Sequence, residues 1–354
     1  MARCTAWIWL LVVAWVSLPR GAAGQTFSYR SSAVLSPQSG LTWASESVGA
    51  PSVAYDTVHD RFIMAFEART PTTDADCPQG VWALGLATST DGISWTVRST
   101  PLIEPSPGDG TYYSCVAAHP AAVFRAVNNG ELYVLFKAEQ DEDTCTSGCP
   151  YKGLGGVKVV FNASGNVSNV VIASSPVLSF SGPGGHPSFV KDGNNFKLLY
   201  QRYPDIYRTQ STNINSFSTG LVTFDASYDW AGNESVGWEY DEFKSPSVLC
   251  DDSVAFPFAA WVGSVDTNFG EVVAGGWGKA ISSSGASWDL STSAIETWSD
   301  DDSWRHWDML RLTTGDYLVW YSKKDSSGDS AIYFGGTPTN LSFNNSDVES
   351  RICP

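Results

Sequence analysis

Apolar positions along this chain recur with a period of two, in short runs broken by Gly, Pro, Asn and Asp. That is the pattern of half-buried β-strands joined by tight turns. The clearest run is Gly184 to Tyr203, GGHPSFVKDGNNFKLLYQRY. It predicts a strand opened by Pro187, a turn at Asp192-Gly193-Asn194, and a second alternating strand. Proline is tolerated at the start of a strand because the hydrogen-bonded ladder has not yet begun. The same design recurs from Gly49 to Arg69, Ala118 to Glu139 and Lys244 to Gly263, and from Trp307 to Lys323 with the proline lost.

A further strand and a polar turn follow the hairpins. Ser89-Thr90-Asp91-Gly92-Ile93-Ser94-Trp95 sets the turn pattern, and Ser282 to Trp288, Ser211 to Phe217 and Thr337 to Phe343 keep its spacing. Small polar residues there favour local side-chain-to-backbone hydrogen bonds, and the closing aromatic can pack beneath the turn. Starts near Pro51, Pro120, Pro187, Pro246 and Asp308 lie 69, 67, 59 and 62 residues apart. No amphipathic helix interrupts them. A repeated four-stranded antiparallel unit of this size reads as a propeller blade. The expectation is therefore an all-β, five-bladed β-propeller, one domain over residues 25–354. The ring would close by pairing a segment near Thr26 to Leu35 with the last blade. A β-sandwich or six-bladed ring is the alternative, but no sixth hairpin can be counted.

Composition narrows the function classes. Residues 1–24 read as a secretory signal peptide: Arg3 is basic, Trp7 to Val16 is an apolar run short for a bilayer, and Ala22-Ala23-Gly24 is small. Its removal would take Arg3 and Arg20 and no acid, moving the formal charge from −16 to −18. So acidic a surface argues against nucleic acid and anionic membranes, which need clustered Lys and Arg. It is compatible with a neutral carbohydrate, acting as a secreted monomer. Six cysteines would remain, Cys77, Cys115, Cys145, Cys149, Cys250 and Cys353, enough for three disulfides in any pairing. Sequons at Asn162, Asn166, Asn233, Asn340 and Asn344 imply N-glycosylation in a eukaryotic host. The chain carries 15 Trp, 14 Tyr and 17 Phe, which favour strands and also form platforms for sugar rings.

Propeller geometry predicts where chemistry would gather. First strands line the axis, so one face collects Ala50, His119, His186, Ser245 and Asp308, with Glu67, Lys137, Glu139 and Arg202 beside them. The X-Pro-Ser-Val starts, the turn ending at Trp95 and the five-fold count resemble five-bladed glycoside hydrolases of the arabinanase, xylosidase and invertase kind. The resemblance spans about Gly49 to Phe343. It implies hydrolysis of a glycosidic bond by paired carboxyls, one protonating the leaving oxygen while the other activates water or attacks carbon. The chain departs from that pattern, with Ala50 and His119 where Asp is expected and Gly185-His186-Pro187 for Glu-Gly-Pro. Asp308, Glu67 and Glu139 are the carboxyls that could rebuild an acid/base set. His119, His186, Arg202, Trp304 and Trp307 are the candidate substrate contacts, with Tyr112 and Tyr113 as further stacking rings. No cofactor is expected. No short ligand spacing supports a metal, so His119, His186 and His306 read as filling a narrow throat. A non-catalytic glycan-binding propeller is the alternative function, and a structural or interaction propeller a further one.

Overall fold

The computed structural model describes residues 26–71, 74–75, 77, 80–140, 152–180, 184–224, 242–251, 257–268, 271–290, 296–298, 306–324 and 329–353. The leader, Cys145, Cys149, Asn233 and Trp304 lie outside them. Among the described residues the chain is all-β, with three short 3-10 turns and no α-helix.

Five hairpins open five units. Ser47–Asp56 pairs with Arg61–Arg69, Val116–Arg125 with Glu131–Glu139, Gly184–Asp192 with Asn195–Arg202, Glu242–Cys250 with Phe258–Asn268, and His306–Arg311 with Tyr317–Lys324. All five pairings are antiparallel. The third turn closes Asp192 onto Asn195, with Gly193 at φ 53° supplying the left-handed backbone a side chain would resist. A third strand joins each hairpin: Trp82–Ser89, Lys152–Phe161, Asp205–Ser211, Glu271–Ser282 and Ser330–Gly336.

The last unit borrows its outer strand from the chain's other end. Ser28–Tyr29 pairs with Ser330–Gly336, and Leu35 bridges Ile332. This is the N-terminal pairing the sequence suggests. The first strands pack in cyclic order. Ser47–Asp56 touches Val116–Arg125, which touches Gly184–Asp192, then Glu242–Cys250, then His306–Arg311, which returns to Ser47–Asp56. At the far end of these strands Ile352–Cys353 runs parallel to Gly184–Asp192, and the Cys250–Cys353 disulfide ties it down. Cys77 and Cys115 form the second disulfide.

The polar turns work as their composition implies. Ser89 Oγ accepts from Gly92 N at 2.9 Å, and Asp91 Oδ1 accepts from Ile93 N and Ser94 N at 2.8 and 2.7 Å. Ser282 Oγ repeats the first contact with Gly285 N at 2.8 Å. Trp95 packs against a core that includes Phe62, Phe66 and Trp320, and Trp288 is buried beside Phe224. Most of the described aromatic residues fill space between neighbouring units. Trp307 is among them, 5 % exposed in a cluster with Trp261, Trp277 and Tyr321. Its ring lies on Gly263, where an added Cβ would collide with the indole. The expected stacking platform is thus core packing in this structure. Gly263→Ala is predicted to lower stability by about 1–3 kcal/mol through overpacking, measurable by urea unfolding; a loss below about 0.5 kcal/mol would count against that packing.

Candidate functional site at the axial end

The site grows from one backbone irregularity repeated in four units. Pro51, Pro120, Pro187 and Pro246 lack an N–H, so the ladder cannot run through them. Each hairpin skips register there, between Gly49 and Ser52, Ala118 and Ala121, Gly185 and Ser188, and Lys244 and Ser247. The residue before each proline takes up the extra length in a left-handed conformation: Ala50, His119, His186 and Ser245 have φ of 39°, 47°, 47° and 48°. Residues before proline ordinarily avoid the helical region and stay extended, so this conformation is imposed by the bulge.

The fifth hairpin has no proline and no bulge. Its ladder runs unbroken from His306 opposite Ser322 to Arg311 opposite Tyr317. His306, not Asp308, therefore arrives where the pre-proline residues gather. Asp308 lies two positions deeper, in the ring formed by the residue after each proline. There Ser52 Oγ accepts from Ala122 N at 2.9 Å, Ser188 Oγ from Val248 N at 2.9 Å, and Ser247 Oγ from Met309 N at 3.2 Å. Asp308 closes the same circle. Its Oδ2 accepts from Val53 N at 2.8 Å and Ser52 Oγ at 2.9 Å, while Oδ1 accepts from Ser247 Oγ at 2.9 Å and from Arg351. Asp308 and Arg351 are each 4 % exposed. The carboxylate expected as a reacting group is in this structure a fully engaged latch between the last unit, the first and the C-terminal segment.

The three histidines meet. Ring centroids of His119 and His186 are 3.8 Å apart and stacked; His306 lies 4.4 and 4.5 Å from them. Ser245 Oγ reaches Nδ1 of His186 at 3.2 Å and Nδ1 of His306 at 3.3 Å. Glu67, opposite Gly49, completes the group. Its Oε2 accepts from the His119 backbone N at 3.1 Å and lies 3.4 Å from His119 Nε2. Burial raises the Glu67 carboxyl to about 7, against the pull of the His119 N–H and the Lys137 ammonium. Burial also drives His119 well below its usual value, and the charges of His186, His306 and Lys137 add to the shift.

Lys137 links this group to Glu139, which it meets at 2.9 Å; Lys152 lies 3.9 Å from the same oxygen. Glu139 pairs with Val116, farther out along the strand than His119. Arg202 ends its strand with its guanidinium 5.5 Å from the Tyr207 ring. Tyr112 and Tyr113 stack edge-to-face at 4.8 Å and pack against the core. The structure thus brings together Glu67, His119, His186 and His306, with Ser245 and Lys137 as close supports. It gives Asp308, Trp307 and the two tyrosines packing or bonding duties elsewhere.

No known protein family matches the sequence, and no curated protein is similar to it in sequence. Solved structures are similar in shape. A glycosyl hydrolase from Bacteroides ovatus is 9 % identical, with 88 % of this chain and 93 % of that one covered at a TM-score of 0.57. The endo-arabinase of Bacteroides thetaiotaomicron is 14 % identical, with 85 % and 95 % covered at 0.55. A structure from work on hydrolases of β-1,2 mannosidic linkages in the GH130 family is 11 % identical, with 90 % and 95 % covered at 0.57. These neighbours are glycoside hydrolases of β-propeller families, and this chain shares their fold.

Proposed function

We propose that the chain is a secreted, five-bladed β-propeller of glycoside-hydrolase type that takes an extracellular oligo- or polysaccharide at the histidine-lined end of its axis. The observation that carries this reading is the placement of Glu67. It is a carboxyl 6 % exposed, set against His119 at the hub where distant segments converge. Glu139 stands beyond it across Lys137 and supplies the second carboxyl that glycosidic cleavage requires. In this reading Glu67 protonates the leaving oxygen, Glu139 activates water, and His119 and His186 orient the sugar. The shared fold supports no more than the substrate class, and fold likeness alone does not assign an activity.

A second reading has its own support. Asp308 is engaged on every side, and Ala50, His119 and Gly185 stand where the resemblance leads one to expect acids. A propeller that binds glycan without cleaving it fits those residues as well. The test is release of reducing ends from arabinans, xylans, fructans and galactans. The hydrolase reading predicts turnover that Glu67→Gln lowers by about 10²–10⁴ with far-UV circular dichroism unchanged, the range a general acid supplies. Saturable binding with no turnover on any substrate would replace it with the second reading.

A further inference from the structure

We propose that His119, His186 and His306 form a tri-histidine site for a borderline divalent cation such as zinc. The inference is independent of the carbohydrate reading. It starts from a coincidence of placement. The chain has four histidines, and three of them, contributed by three different hairpins, converge on one point. Each can offer one ring nitrogen such that the three lie within 4.8 Å of one another. Zinc–imidazole bonds of about 2.0–2.1 Å put ligand nitrogens roughly 3.3 Å apart, so the rings must draw in and turn out of their stacked arrangement to share one ion. Imidazole nitrogen suits zinc, copper, nickel and iron far better than calcium or magnesium, which take oxygen.

The contacts around the rings orient them as ligands. His119 Nε2 faces the Glu67 carboxyl at 3.4 Å, and its other nitrogen, Nδ1, is buried without a hydrogen-bond partner. Leaving such an atom unsatisfied is unfavourable, and a cation at Nδ1 would give it a partner. A ring whose outer N–H is held by a carboxylate is the usual partner of a metal, because that contact fixes the tautomer and raises the basicity of the ligating nitrogen. Ser245 does the same for the other two rings. Its hydroxyl oxygen has two lone pairs, enough to accept Nδ1–H from both His186 and His306. In that tautomer the lone pair of each ring sits on Nε2. Three protein ligands leave at least one coordination position for water or a sugar oxygen, the arrangement of a reactive rather than a structural site. Linear spacing could not reveal it, because the ligands are separated by 67 and 120 residues and only the cyclic packing joins them.

The experiment uses the full, untagged chain stripped with a chelator. Cobalt(II) is the spectroscopic probe and zinc the competitor. The proposal expects visible d–d bands that saturate at about one cobalt per chain and are bleached by zinc, and X-ray absorption of the zinc form showing about three imidazoles at the bond length above. Ser245→Ala, which removes an orienting contact and no ligand, is expected to weaken zinc about 10–100-fold. His186→Gln and His306→Gln should weaken it further. A flat cobalt spectrum, or zinc bound with no imidazole scattering, overturns the proposal on the native chain even if a variant fails to fold. So does a folded triple His→Gln variant that keeps its affinity.

Discussion

Asp308→Asn is expected to lower the unfolding free energy by about 3–5 kcal/mol, the loss seen when one partner of a buried ion pair is removed. The amide would leave the Arg351 guanidinium in a site where both residues are 4 % exposed. It would also disturb a carboxylate that accepts from Val53, Ser52, Ser247 and Arg351 together, and so joins the last unit to the first. The double variant Asp308→Asn with Arg351→Met should recover much of the loss, because an uncharged pair leaves no buried charge without a partner. Urea unfolding of the single and double variants measures both. A single-variant loss below about 1 kcal/mol would mean that the packing of the last hairpin on the first does not depend on this latch.

The Cys250–Cys353 disulfide carries the second large effect. It closes a loop of 103 residues and fastens a short C-terminal strand that pairs at Lys191–Ile352 and Asp192–Cys353. For a loop of about 100 residues the chain-entropy contribution is about 4.7 kcal/mol. Replacing both cysteines by serine is therefore expected to lower stability by about 2–5 kcal/mol. Arg351 lies two residues from Cys353, so freeing the strand should also loosen its hold on Asp308. The serine pair and Asp308→Asn should then be less than additive, since the second change removes a contact the first has already weakened. Strict additivity would show that the tail seats Arg351 without help from the disulfide.

How much of this was legible in the sequence varies by feature. The hairpins were legible because alternation, proline and turn residues all act within a few positions of one another. Gly193 and the Ser89–Trp95 turn behave as their local chemistry implies. The fifth hairpin differs from the pattern for a physical reason. Losing the proline also loses the bulge residue, so counting from hairpin starts puts Asp308 in the place that His306 occupies. A signal was present: Ser52, Ser188 and Ser247 follow their prolines as small polar residues, and Asp308 fits that series better than the histidine series. Trp307 is buried because a strand flanked by units on both sides hides both of its faces, which alternation cannot reveal. Ser245 gave no sign of bridging two imidazoles, since serine is common at strand starts and the contact exists only after five segments converge. Disulfide pairing was beyond reach for the same reason.

The account rests on the meeting of His119, His186 and His306 at one hub. Histidine-labelled protein observed by NMR tests it without any ligand. Ring centroids 3.8 to 4.5 Å apart predict nuclear Overhauser contacts among the imidazole protons of all three residues, assigned by single His→Gln variants, with each shifted by the ring currents of its neighbours. Three histidines with no mutual contacts and solution-like shifts would contradict the hub, and with it the site built around Glu67.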